Sequence, residues 1–150
     1  IDFNLTEDIE EADIILVKLN IVFNGTQIPG TEKFSDLLLS TVFPDQNLNF
    51  DSETLKKIES YSKKAKLITV VNLNRPAILD KINQYSNALI GTFGVNEKAV
   101  KAVLTGNHNP KGILPFEIPS SMSEVENQLE DMPDDTLNPT FKKGFGLSYR

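Results

Sequence analysis

The chain has 150 residues, 39% hydrophobic and 24% charged, with 15 Lys and Arg against 21 Asp and Glu. That length suits one domain and excludes a (β/α)8 barrel, which needs about 200 residues or more, while the net charge of −6 speaks against nucleic acid or an anionic membrane surface as partner. With no Cys and one His, disulfides, thiolate catalysis and Cys- or His-rich metal sites are excluded, so no metal and no cofactor is expected.

Residues 1–12 are acidic, with Glu7, Asp8, Glu10 and Glu11 close together, and read as a solvated lead-in. Residues 12–17 form a continuous apolar run rich in β-branched side chains, the pattern of a strand buried on both faces. Lys18 and Asn20 interrupt the apolar character after it, so no membrane span is expected there. Residues 24–50 hold Gly25, Pro29, Gly30 and Pro44 and predict a long loop, and long loops tend to be functional.

Asp51 or Ser52 is placed to cap a helix whose inward stripe is Leu55, Ile58, Tyr61 and Ala65. Lys56, Lys57, Glu59, Lys63 and Lys64 take its solvated face. Residues 67–73 read as a second buried strand. Pro76 suits the first turn of a helix carrying Ile78, Leu79, Ile82 and Tyr85 inward. Residues 88–93 are the third strand, Gly94 turns, and Asn96 caps a helix that buries Ala99, Val100, Val103 and Leu104. Gly106 stands where a left-handed C-cap is expected.

Alternating strands and helices predict a parallel sheet with helices on both faces. Beyond Gly106 the chain is punctuated by Pro110, Pro115, Pro119, Pro133 and Pro139. Residues 112–118 therefore suit an edge or irregular strand. Ser121-x-x-Glu124 and Ser123-x-x-Glu126 are both capping boxes for a helix carrying Met122, Val125 and Leu129. The expected architecture is one α/β domain over residues 1–150, a three-layer αβα sandwich with a mostly parallel sheet.

Catalytic motifs are scarce. No phosphate-binding glycine loop and no G-x-S-x-G elbow is present. His108, between two Asn just past a helix end, is expected to help satisfy free carbonyls. Glu130-Asp131 and Asp134-Asp135 read as solvated turns. Two N-x-[ST] sequons, at Asn4 and Asn24, are as many as chance supplies from this composition. Ligands of open α/β sheets sit beyond the carboxyl ends of the strands. Those ends here bring together residues 18–24, then Asn72, Asn74 and Arg75, then residues 94–96. Amides and one Arg suit sugar hydroxyls, and they equally suit loop capping.

Three segments in order carry a family resemblance. Asn74-Arg75-Pro76-Ala77-Ile78-Leu79 follows a buried strand; Leu104-Thr105-Gly106 leads to Asn109-Pro110-Lys111-Gly112-Ile113-Leu114-Pro115 and on to Pro119; and the chain closes on Pro139-Thr140-Phe141-Lys142-Lys143-Gly144-Phe145-Gly146-Leu147-Ser148-Tyr149. Together they resemble the C-terminal α/β-sandwich domain of family 3 glycoside hydrolases, the β-glucosidases and their relatives. The resemblance implies a C-terminal domain or fragment of a larger hydrolase that cleaves terminal β-linked sugars with retention, through a covalent glycosyl-enzyme. It also implies an N-terminal (β/α)8 barrel on the same polypeptide, carrying the nucleophilic Asp, with this domain beside its mouth and a carbohydrate as substrate. By itself the chain is then expected to be inactive.

The family often shows Gly-Glu soon after the strand that corresponds to residues 14–17. This chain has Lys18-Leu19-Asn20-Ile21-Val22-Phe23-Asn24 there instead. The first Glu that follows is Glu32, which the resemblance makes the candidate acid/base, with Asn24, Asn74 and Arg75 as candidate sugar contacts. Two other readings stay open. One is a β-N-acetylglucosaminidase domain that supplies no catalytic residue, and the other is a non-catalytic carbohydrate-binding or interaction module. The aromatic, glycine-rich closing segment is expected to close the domain against its own sheet, with the barrel that the resemblance implies as a second surface.

Overall fold

A computed structural model describes residues 4, 6, 8–21 and 47–149. Three strands, β1 (Ile14–Asn20), β2 (Lys66–Asn72) and β3 (Ala88–Thr92), form a parallel sheet in the order β1-β2-β3. The register sets Ile15 beside Leu67 and Val17 beside Thr69, then Thr69 beside Leu89. Side chains alternate across a sheet, so Ile15, Val17, Leu19, Leu67, Val71 and Leu89 share one face.

Helices α1 (Ser52–Ser62) and α2 (Asp80–Tyr85) cover that face. Asp51 starts α1: its carboxylate accepts from the Thr54 amide at 2.8 Å and from the Thr54 hydroxyl at 2.7 Å. The predicted stripe is the one buried, with Ile58 against Ile15 and Leu67, and Tyr61 and Ala65 at the margin. On the outer face Glu53 pairs with Lys57 and Glu59 with Lys63, each one turn apart. Lys64 instead reaches Glu10 in the 3₁₀ turn Ile9–Glu11 that precedes β1.

The second helix is shorter than its pattern suggests. It begins at Asp80, not at Pro76. The Ile78 amide donates to the Leu48 carbonyl at 2.9 Å, so that amide is engaged by another segment. Ala77 and Leu79 still reach the core, beside Ile82.

α3 (Glu97–Leu104) begins as expected, with Asn96 accepting from the Ala99 amide at 3.0 Å. It ends at Gly106, whose φ of +75° lies in the left-handed region. Lys18 is on the sheet face opposite Ile15, and its ammonium lies 3.6 Å from the Glu97 carboxylate. α3 therefore begins beside the face away from α1 and α2, but its expected stripe is not buried: Ala99 is exposed and Val100, Val103 and Leu104 are half-buried.

Of the expected strand at 112–118 only Ile118 is regular, as the first residue of β4 (Ile118–Pro119). It pairs antiparallel with β5 (Pro139–Phe141) in a separate two-stranded sheet. α4 (Met122–Glu126) starts at Ser121, which accepts from the Glu124 amide at 3.2 Å. Of the two candidate boxes, the one at Ser121 is thus the cap. Leu129 lies beyond the helix and is exposed, because the Asp135 carboxylate takes its amide at 2.8 Å. Among the described residues no helix is long and apolar enough to cross a membrane.

The closing segment folds back on residues 109–114, not on the parallel sheet. The Leu114 amide donates to the Phe145 carbonyl at 2.9 Å, and the Gly144 amide to the Leu114 carbonyl at 2.8 Å. Asn109 holds Tyr149 twice, accepting from its amide at 2.7 Å and donating to its carbonyl at 3.3 Å. The Tyr149 hydroxyl donates to the Val103 carbonyl at 2.6 Å, close to the end of α3.

Candidate functional site

Asn20, Asn72 and Thr92 lie side by side at the carboxyl ends of β1, β2 and β3. The ladder continues one residue further, with the Leu73 amide donating to the Thr92 carbonyl at 2.7 Å. The segments that begin at Asn74 and Phe93 thus leave the sheet next to one another. Asn72 uses its side-chain carbonyl to accept from the Gly94 amide at 3.0 Å. It caps the turn after β3, where Gly94 has φ +77°. Of the two readings of the amides here, capping is the one that Asn72 follows.

Asn74 is exposed and Arg75 half-buried. The Arg75 guanidinium donates to the Asn47 carbonyl at 3.1 Å. Asn47 in turn accepts at its side chain from the Asn49 amide at 3.0 Å. Arg75 therefore fastens residues 47–49 beside the turn that follows β2. Glu32 and Asn24 lie outside the described residues, as does most of the predicted loop at 24–50.

Two features lie at this end, the first lined in part by strand-end residues 18, 95 and 96 read from the sequence and the second not singled out there. A shallow depression of about 480 Å³ is lined by Lys18, Val95, Asn96, Glu97 and Lys98. Its ion pair is exposed at both ends and adds little stability. Phe93, expected inside β3, lies just past its end and is 49% exposed. It stands edge-on to Phe116, with ring centroids 6.0 Å apart. The glycine after Phe93 was the available signal, because a left-handed residue there ends the strand before the aromatic.

The residues expected to be structural fare differently. His108 is exposed, and its backbone amide, not its ring, meets a helix carbonyl, donating to Ala102 at 2.9 Å. Asp131 and Asp134 have φ of +64° and +61°, which places both in tight turns. Among the described residues no cluster of His, Cys, Asp or Glu could hold a metal ion. The carboxylates here do structural work: Glu117 accepts from the Thr136 amide at 3.0 Å, and Glu124 from the Asn138 amide at 3.2 Å.

A family model described as the glycosyl hydrolase family 3 C-terminal domain matches residues 4–149. A probable β-glucosidase C of Aspergillus flavus is 34% identical over 148 residues, covering 99% of this chain and 22% of that protein. A periplasmic β-glucosidase/β-xylosidase of Dickeya chrysanthemi is 30% identical over 142 residues, covering 93% and 21%. The fold is similar to that of a β-glucosidase from Listeria innocua solved with isofagomine, with a TM-score of 0.69 at 14% identity, covering 94% of this chain and 21% of that one. The chain thus spans about a fifth of the length of the curated relatives it matches.

Proposed function

This chain belongs to the glycosyl hydrolase family 3 C-terminal domain family, and from that premise we propose that it serves as the α/β domain of a retaining β-glucosidase-like hydrolase. The observation that carries the proposal is the match of nearly the whole chain, at 30–34% identity, to proteins named as β-glucosidases. Terminal β-linked glucose is the substrate class, with β-linked xylose second, after the name of the Dickeya relative.

In this reading a (β/α)8 barrel elsewhere on the polypeptide carries the nucleophilic carboxylate, and this domain closes the site from beside the barrel mouth. A retaining hydrolase needs a second carboxyl group about 5–5.5 Å from the first. Glu32 is the candidate for it. It would protonate the leaving glycosidic oxygen as the nucleophile bonds to the anomeric carbon. It would then take the proton from the water that releases the sugar. Asn24 and Asn74 would bind sugar hydroxyls. Arg75 would contribute beside Asn74, on the turn that it already ties to Asn47.

The test is turnover of an aryl β-glucoside by the 150-residue chain alone and by the longer polypeptide that carries it. Only the longer polypeptide should release the phenol. Turnover by the chain alone would end the two-domain account.

A further inference from the structure

Leu48 is held through both of its backbone polar groups. Its carbonyl accepts from the Ile78 amide at 2.9 Å. Its amide donates to the thioether sulfur of Met122, the first residue of α4, at 3.3 Å. The residue before it, Asn47, gives its carbonyl to the Arg75 guanidinium at 3.1 Å. Residues 47–48 thus join three distant parts of the chain: the turn after β2, the stretch that carries Ala77 and Leu79 into the core, and α4. Two of these ties end on amide or guanidinium nitrogens, which a mild oxidant leaves unchanged. The third ends on a sulfur that such an oxidant converts.

The chain has two methionines, Met122 and Met132. Met132 is 55% exposed. Met122 is half-buried, and its sulfur bridges positions 74 residues apart in sequence. A thioether sulfur is a weak acceptor. It carries two lone pairs, and at Met122 one of them faces the Leu48 amide. An oxygen atom can therefore be added only at the other. The sulfoxide so formed is polar and chiral, and its strong acceptor is the new oxygen, which points away from Leu48.

We infer that Met122 is a sulfoxidation site whose state sets the hold on residues 47–48, with a peroxide as the oxidant. The free lone pair of the sulfur attacks one oxygen of hydrogen peroxide. The S–O bond forms as the O–O bond breaks, and the departing hydroxide takes the proton from the transferred oxygen and leaves as water. Sulfur is oxidised by two electrons and the peroxide is reduced by two. Because one lone pair is occupied, a single sulfoxide epimer forms at Met122, and one of the two stereospecific methionine sulfoxide reductases reverses it. Oxidation leaves the Leu48 amide without its acceptor and loosens the segment that Arg75 fastens at the carboxyl end of the sheet. The inference is independent of the substrate proposed above.

The experiment treats the native polypeptide with hydrogen peroxide and follows both methionines by peptide mass spectrometry. Each reductase is then applied separately, and amide exchange at Leu48 is measured before oxidation, after it and after repair. Met132 should oxidise first and as both epimers. Met122 should follow and be restored fully by one reductase alone. Exchange at Leu48 should rise about 5-fold or more on oxidation, the loss of one hydrogen bond, and return on repair. Met132→Leu should respond as wild type does. Met122→Leu, which keeps the side-chain volume, should exchange fast at Leu48 from the start and ignore peroxide. Met122 left intact when Met132 is fully converted overturns the inference. So does a mixture of epimers at Met122. Exchange at Leu48 that is unchanged or slower in the sulfoxide overturns it too, since the new oxygen would then have taken over the amide.

Discussion

Replacing Gly146 by Ala should unlatch the closing segment. A Cβ at this position would lie 2.3 Å from the Gly112 carbonyl oxygen and 3.2 Å from Ile113 Cγ2. Carbon rarely approaches a carbonyl oxygen closer than about 3.3 Å, so the two backbones must part by roughly 1 Å. The obstacle is main chain, which cannot rotate aside as a side chain does. Two backbone hydrogen bonds join these segments, Leu114 to Phe145 and Gly144 to Leu114, each worth about 1 kcal/mol. The Phe141–Phe145 ring pair, with centroids 4.9 Å apart, adds about 0.5–1.5 kcal/mol. The expected loss is about 2–4 kcal/mol, or roughly 5–15 °C in melting temperature for a domain of this size. Urea unfolding and hydrogen exchange over residues 142–149 would measure it. Gly112 is the control, because a Cβ there meets nothing within 4 Å. Gly112→Ala should be neutral, or stabilising by up to about 1 kcal/mol through the unfolded chain. A Gly146→Ala protein within about 0.5 kcal/mol of wild type would refute the steric argument.

Arg75→Ala removes the donor to the Asn47 carbonyl and should cost about 1–2 kcal/mol in urea unfolding; lost turnover at unchanged stability would instead assign Arg75 to the sugar. Glu32→Gln in the whole hydrolase should slow glycosides with poor leaving groups by about 100-fold or more, while sparing activated aryl glycosides that need no proton. Equal losses on both kinds of substrate would remove Glu32 as the acid. Asp51 is held below its ordinary 3.8 chiefly by the Thr54 backbone amide, then by the Thr54 hydroxyl. Because the folded value is the lower one, its contribution is complete above the unfolded value and is lost as pH falls through the folded one. Thermal melts should therefore show an acid-side loss below about pH 4 that Asp51→Asn, which keeps a cap without titrating, reduces. An unchanged acid profile in the variant would exclude Asp51 as a source.

The parallel order and its helices were legible because burial in this chain follows periodicity. Ile58 and Ile82 stand on clean helical stripes, and Leu67 to Leu73 is a continuous apolar run. Asn96 and Gly106 were legible as stops and starts, since each answers a local backbone demand. What was not legible depends on partners distant in sequence. Pro76 fits a helix start, but the Leu48 carbonyl holds the Ile78 amide. Leu129 continues a helical stripe, but Asp135 captures its amide. The closing segment was expected against the sheet, yet its neighbour is set by Gly112, which periodicity does not mark. At the candidate site the sequence offered residue types without partners. Asn72 serves as a cap and Arg75 as a tie because of Gly94 and Asn47, and neither link follows from spacing. Phe93 was placed within the third strand although it lies beyond it, half exposed.

The clasp between Asn109 and Tyr149 also bears on the timing of synthesis. Val103, Asn109, Gly112 and Leu114 all wait for partners that the ribosome adds about 30–46 residues later. At about 5–20 residues per second, that interval lasts roughly 2–9 s. During it the sheet and helices α1 to α3 are already translated, while the Leu114 amide and carbonyl have nothing to close on. Residues 109–114 are thus most vulnerable to misassociation during that interval. Peptide competitors or chaperones would find their opening at residues 109–114, and a nonsense codon at Gly144 would hold that opening permanently.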